Sequence, residues 1–106
     1  MIVSFRSKAL ERFWWRGEAR RVDQRHVAKL RLILDRLEYA SVPEDMNLPT
    51  MAYHVLTGDQ IGRYAVKVDK NWRVTFGWSG HSADAVDVDY EDYHWGPACD
   101  QNVIRA

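Results

Sequence analysis

The sequence has little cysteine, little proline and no long hydrophobic run. The single cysteine, Cys99, cannot form an internal disulfide, and no Cys-x-x-Cys pair is present. A disulfide scaffold and dithiol redox chemistry are therefore excluded. No apolar stretch approaches the length of a membrane span, and the first residues lack the apolar segment of a secretory signal. We expect a reducing, cytoplasmic setting and no membrane association.

Familiar catalytic and metal-binding motifs are also missing. The sequence contains no Gly-rich phosphate loop, His-Glu-x-x-His, Gly-x-Ser-x-Gly or EF-hand pattern. Its four histidines are far apart and lack metal-ligand spacing. Acidic residues are dense over 84–92, but strand alternation places only Asp87 and Asp89 on one face, beside Arg73 and Lys67. We expect a cross-strand ion network there rather than a metal site, and no cofactor.

The chain is globular in composition, and its charge is unevenly distributed. Of 106 residues, 46% are hydrophobic and 28% are charged, which is enough for a single core. The net charge is zero, yet residues 1–36 carry ten basic and four acidic side chains, mostly arginine on the basic side. Arginine suits phosphate and carboxylate groups because its planar fork donates two hydrogen bonds. The pattern indicates either a polyanionic or acidic partner, or solvated helix faces paired with the acidic half.

Two helices are predicted in the first half of the chain. Ser7 is a helix N-cap after an apolar strand over 2–5, and Gly17 is a stop signal. Asp23 caps a longer helix that runs to about Ala40. Apolar side chains repeat at helical period in both helices: Leu10, Phe13 and Trp14, then Val27, Leu30, Ile33, Leu34 and Leu37. We interpret the pair as a helical hairpin with one buried face.

From residue 61 onward the apolar period changes to two. Turns at 69–71 and 79–82 separate three strands, and 51–56 is long enough to add a fourth. Centring each turn on a hairpin places nine apolar residues on one face in three rows: Tyr64–Phe76–Val86, Val66–Val74–Val88 and Val68–Trp72–Tyr90. The other face then presents Lys67, Arg73 and Asp89 side by side, with Thr75 and Asp87 in the next row. The predicted fold is a small α+β domain, with an N-terminal strand and helical hairpin packed on a curved antiparallel sheet.

Residues with acid–base potential cluster near the ends of these strands. His54 precedes the three-stranded meander, Arg73 lies on its exposed face, and Asp92, Tyr93 and His94 leave the last strand. Imidazoles with a guanidinium between them suit metal-free RNA cleavage, in which a base deprotonates the 2′-hydroxyl, an acid protonates the leaving oxygen and a cation stabilises the phosphorane. Each residue also has a structural interpretation, as a surface, capping or packing residue.

Several strings along residues 1–94 resemble the HigB toxins of the RelE/ParE superfamily, which belong to type II toxin–antitoxin systems. They are His54-Val55-Leu56-Thr57-Gly58-Asp59, Gly62-Arg63-Tyr64, Asn71-Trp72-Arg73-Val74-Thr75-Phe76 and Asp89-Tyr90-Glu91-Asp92-Tyr93-His94. Thr57 and Val55 differ from the lysine and proline that these relatives often have. The resemblance implies one toxin domain over 1–94 with a microbial RNase-like (RelE-like) fold, followed by a C-terminal tail over 95–106.

The resemblance also implies an activity, partners and site residues. It implies ribosome-dependent, metal-independent endoribonuclease cleavage of mRNA in the A site, with translation inhibited as a result. The catalytic set falls on His54, Asp92, Tyr93 and His94, and Arg73 stabilises the phosphorane. The RNA- and ribosome-binding residues are Arg20, Arg21, Arg25, Lys29 and Lys67. The expected partners are a cognate helix-turn-helix antitoxin of the HigA-like kind, the ribosome and mRNA, and promoter DNA through the antitoxin.

Two other functions are compatible with the same fold. One is a non-enzymatic toxin of the ParE type that binds DNA gyrase, which would not use His54 and His94. The other is an attenuated, toxin-like protein whose role is to bind an antitoxin. Thr57, at the position of the relatives' lysine, keeps this second alternative open.

Overall fold

Both predicted helices are present in the computed structural model, which describes residues 1–92. Helix α1 spans Lys8–Arg16 and α2 spans Val27–Tyr39. The Ser7 hydroxyl accepts a hydrogen bond from the Leu10 N–H at 3.1 Å, as expected of an N-cap. Gly17 adopts φ 72°, and its N–H donates to the carbonyl oxygens of Arg12 and Phe13. The predicted start and stop of α1 are therefore confirmed.

Helix α2 begins one short turn later than its predicted cap. Asp23 caps a 3₁₀ turn over Gln24–His26, where its carboxylate accepts the Arg25 N–H at 2.9 Å, and α2 follows directly. The predicted apolar stripe of α2 faces the core, and Val27 at its start is partly buried. Its fully enclosed members are Leu30, Ile33, Leu34 and Leu37. No helix within residues 1–92 is long and apolar enough to cross a membrane.

The second half of the described chain forms one antiparallel sheet in the order β1-β2-β3-β4. Its strands are β1 His54–Val55, β2 Arg63–Lys67, β3 Trp72–Ser79 and β4 Asp84–Asp92. The N-terminal segment runs beside β4 through two isolated parallel bridges, Ile2 with Ala85 and Phe5 with Val88. The predicted α+β class is confirmed, although the N-terminal strand is reduced to these two bridges.

The register predicted between β2 and β3 is correct, and the one predicted between β3 and β4 is wrong. Tyr64 lies opposite Phe76, as expected. Val74, however, lies opposite Tyr90 rather than Val88, and Gly77 lies opposite Val86. A β-bulge causes the difference, and Asp87 lies within it at φ 51°.

The bulge also changes which face Val86 occupies. Ala85 joins the core in its place, fully buried beside Ile2. Val86 lies instead against Gly77, where a Cβ on that glycine would approach the Val86 methyl to 3.2 Å. The absence of a side chain at Gly77 therefore makes room for Val86 on the face opposite the core.

Candidate active site

Side chains on the sheet face opposite the core form two adjoining rows. The first row crosses all four strands at His54, Ala65, Thr75 and Asp89, and the second crosses three strands at Lys67, Arg73 and Glu91. Because successive residues on a strand point to opposite faces, these positions share one side of the sheet. The sequence-predicted residues His54, Lys67 and Arg73 therefore lie on a common surface.

These residues line a cleft of about 350 Å³ beside the turn that joins β2 to β3. Ala52 and His54 contribute one wall. The others come from the β2–β3 hairpin: Lys67, Asp69, Lys70, Trp72 and Arg73. The cleft combines an imidazole, three cationic groups, one carboxylate and an aromatic ring, and its excess of positive charge suits a phosphate-containing ligand.

The His54 ring is exposed but oriented. Its Nδ1 lies 3.0 Å from the carbonyl oxygen of Ala52. Since a carbonyl can only accept, Nδ1 carries the hydrogen, and the neutral ring has its free lone pair on Nε2. Ala52 adopts φ 46°, an unfavourable conformation for a residue with a side chain. The backbone that precedes His54 is therefore strained at Ala52. Strained backbone conformations of this kind are frequent at functional sites.

Arg73 is held by Glu91, its neighbour across β3 and β4. Arg73 Nη2 donates to Glu91 Oε1 at 3.2 Å, and the Thr75 hydroxyl donates to Glu91 Oε2. Arg63 Nη2 donates in turn to Thr75 Oγ1 at 3.0 Å and to the Asp87 carbonyl at 2.8 Å. Thr75 is fully buried and Arg63 nearly so. Burial lowers the pKa of Arg63, and the Arg6 charge adds to that effect.

The expected ion network on this face exists, but the predicted acidic partner was wrong. Asp89 was expected beside Arg73, whereas Asp89 lies opposite Thr75 and Glu91 occupies the position opposite Arg73. The bulge that contains Asp87 shifts β4 along β3, so Asp87 also leaves the predicted row with Thr75. The two-residue period from Asp89 to Glu91 is the one sequence signal that could have identified Glu91.

A buried histidine outside the predicted set anchors the turn at the cleft. His26 is 3% exposed; its Nδ1 contacts the Tyr90 hydroxyl at 2.6 Å, and its Nε2 contacts an Asp69 carboxylate oxygen. The other Asp69 oxygen accepts the N–H groups of Asn71 and Trp72 at 2.8 and 2.9 Å. Burial alone would raise the pKa of Asp69, but these N–H groups and the His26 ring hold it below its ordinary value.

The remaining predicted catalytic residues are not part of the described cleft. Asp92 is exposed at the end of β4, opposite Trp72, and is not among the residues that line the cleft. Tyr93 and His94 lie outside the described residues. In residues 1–92 no group of three histidine, cysteine or acidic side chains could hold a metal ion.

The RNA-binding residues predicted within residues 1–36 fall into two groups. Arg20 and Arg21 are exposed beyond the end of α1. Arg25 instead forms a two-pronged pair with Asp23, at 2.7 and 3.1 Å, and this pair lowers the pKa of the Asp23 carboxyl. Lys29 donates to the Thr50 carbonyl at 3.2 Å. These contacts orient Arg25 and Lys29 while leaving both side chains near the surface.

Comparison with known proteins identifies relatives over most of the chain. Residues 3–94 match the family of HigB-like toxins, described as the RelE-like toxin of the type II toxin–antitoxin system HigB. The endoribonuclease HigB of Proteus vulgaris is 32% identical over 94 residues, which cover 89% of this chain and 100% of that protein. A solved YoeB/ParE toxin from Agrobacterium tumefaciens is 18% identical and has a TM-score of 0.48, with 89% of this chain and 98% of that one covered.

Proposed function

This chain belongs to the HigB-like family of RelE-like toxins from type II toxin–antitoxin systems, and we propose that it is a ribosome-dependent endoribonuclease. The observation that carries the proposal is the cleft that His54 and Arg73 line together. The Proteus vulgaris relative, named an endoribonuclease, supports the same activity. The proposed substrate is mRNA in the ribosomal A site.

The proposed reaction needs no metal. The 2′-hydroxyl loses its proton to a base and its oxygen attacks the adjacent phosphorus, while the bond from phosphorus to the 5′-oxygen breaks and an acid protonates that oxygen. The products are a 2′,3′-cyclic phosphate and a 5′-hydroxyl. His54 Nε2 is one of the two proton-transfer groups, since the Ala52 carbonyl leaves it the free ring nitrogen.

The other groups have supporting roles in this proposal. Arg73 stabilises the negative charge of the phosphorane from its position beside Glu91. Asp92 or His94 is the second proton-transfer group, and Tyr93 stacks on a base or positions the phosphate. The exposed arginines Arg20 and Arg21, with Arg25, Lys29 and Lys67, contact RNA phosphates on the ribosome or the message.

A type II toxin is neutralised by a cognate antitoxin, and we propose a helix-turn-helix protein as that partner. Such an antitoxin would also bring the complex to promoter DNA. Action on translating ribosomes places the toxin in the cytoplasm.

The proposal is tested with purified protein, ribosomes programmed with a defined mRNA, and the same mRNA without ribosomes. We expect cleavage within the A-site codon only when ribosomes are present. Direct labelling of the downstream fragment by polynucleotide kinase, without prior phosphatase treatment, should succeed because its end is a 5′-hydroxyl. A message with a 2′-deoxynucleotide at the scissile position should stay intact.

Other outcomes would contradict parts of the proposal. A 5′-phosphate on the downstream fragment would exclude attack by the 2′-hydroxyl. Equal cleavage of free mRNA would exclude ribosome dependence. Intact message together with inhibited DNA gyrase would identify a ParE-type toxin instead.

A further inference from the structure

The two lysines of the cleft are held close to other positive charge without acidic partners. Lys67 lies directly opposite Arg73 on the neighbouring strand, and Lys70 is in the adjoining turn. Like charges in a cross-strand pair are unfavourable unless something compensates them. Among the residues that the structure describes, neither ammonium group forms an ion pair or a hydrogen bond.

Two acidic side chains at the cleft, Asp69 and Glu91, form hydrogen bonds to groups other than these lysines. Asp69 lines the same cleft, but one of its oxygens contacts His26 and the other accepts two N–H groups of the turn. Glu91 divides its two oxygens between Arg73 and Thr75. The side chains that line the cleft therefore carry three positive charges against the single carboxylate of Asp69, and that carboxylate is already hydrogen-bonded to other groups.

The other walls of the cleft favour a nucleotide over a small inorganic anion. Trp72 lines it, with its ring held at 4.5 Å from the Tyr90 ring, and Ala52 adds an apolar wall. A cleft of about 350 Å³ exceeds the volume that a lone phosphate needs. Aromatic and basic side chains together are typical of sites for single-stranded nucleic acid.

The geometry points to Lys67 and Lys70 as a phosphate-binding subsite for single-stranded RNA. The subsite holds a phosphate neighbouring the scissile one, which Arg73 contacts. This inference rests on the proposed function and deepens it. It assigns Lys67 a specific ligand and adds Lys70, which lies outside the sequence strings that carry the family resemblance. The charge of the two ammonium groups is what binds the RNA phosphate in this inference.

The test measures binding without cleavage. A labelled single-stranded RNA with methylated 2′-hydroxyls binds but cannot react, and fluorescence anisotropy gives its affinity over a series of salt concentrations. Each lost phosphate contact should reduce the slope of log K against log salt by about 0.7. We expect this reduction for Lys67→Gln and for Lys70→Gln, and its recovery in Lys70→Arg. Lys8→Gln, at an exposed lysine that does not line this cleft, is the matched control and should keep the wild-type slope.

The outcomes separate this inference from the proposed function. If wild-type protein cleaves ribosome-bound mRNA but both glutamine variants keep the full salt slope, the subsite is refuted and the activity stands. If the slopes fall as expected but wild-type protein cleaves no message, the subsite stands and the proposed activity is refuted. Inorganic phosphate at matched ionic strength should compete only weakly, and competition as effective as that of unlabelled RNA would reduce the subsite to a general anion site.

Discussion

Glu91 on β4 lies directly opposite Arg73 on β3, and its Oε1 accepts a hydrogen bond from Arg73 Nη2 at 3.2 Å. The second carboxylate oxygen is bound by Thr75, which is itself bound by Arg63. These contacts restrict the rotamers that the Arg73 guanidinium can adopt at the cleft. In the proposed reaction this position matters, because a charged group must already be in place where negative charge develops.

The first prediction concerns this contact. Glu91→Gln keeps an amide oxygen for Thr75 but removes the charge that holds Arg73. Because a displacement of the order of an ångström at a reacting centre can cost up to about a hundredfold in rate, we expect a loss approaching that size in single-turnover cleavage. Asp89→Asn is the matched control, because Asp89 lies two residues before Glu91 on β4 and is opposite Thr75 rather than Arg73. Unchanged cleavage by Glu91→Gln would show that Arg73 needs no help from β4.

The second prediction concerns the turn at the cleft. Asp69→Asn keeps an oxygen for the Asn71 and Trp72 N–H groups but loses the carboxylate that contacts His26. We expect a decrease in the free energy of unfolding of about 1 kcal/mol at neutral pH, given the partial exposure of Asp69. The measurement is urea denaturation over a pH series.

The pH dependence of this difference has a definite sign. The pKa of Asp69 in the folded protein is below its ordinary value of 3.8. Its stabilisation is therefore complete above 3.8 and is lost as the pH falls through the lower folded value. Wild type and Asp69→Asn should converge in acid. Asp59→Asn, at an exposed residue, should match wild type throughout. A gap that widens in acid would contradict the assignment.

The third prediction tests the end of α1. Gly17 has φ 72°, a conformation that costs a residue with a Cβ about 1 kcal/mol or more. Gly17→Ala should lower the free energy of unfolding by that amount, measured by thermal or urea denaturation. Nothing lies within 4 Å of a Cβ built at this position, so crowding would not explain the loss. Gly80→Ala, equally open but without a left-handed φ, should be close to neutral, and equal effects at both glycines would refute the explanation.

Local signals in the sequence predicted most of the fold. Ser7 and Gly17 mark the ends of α1 because capping chemistry is local, and the two-residue period of β2 and β3 fixed their pairing. The pairing of β4 could not be derived in the same way. Asp87, at φ 51°, lies in a β-bulge of this strand. The alternation of apolar and polar residues does not predict a positive φ at one position.

The same bulge limited what could be predicted of the site. His54 and Arg73 were expected on one surface, and both line the cleft, because their placement depends on β1, β2 and β3 alone. Glu91 was missed as the partner of Arg73, since its row depends on the shifted strand. The anchoring of Asp69 by His26 joins residues 43 positions apart, a contact that local periodicity does not encode.

The role of His54 in the proposed active site is tested most directly by single-turnover cleavage of ribosome-bound mRNA by His54→Ala. The control is His81→Ala, at an exposed histidine outside the cleft. Removing a proton-transfer group typically costs between about a hundredfold and ten-thousandfold in rate. We expect a loss in that range for His54→Ala, with ribosome binding retained, and a wild-type rate for His81→Ala. Cleavage by folded His54→Ala at the wild-type rate would contradict the assignment of this cleft as the active site.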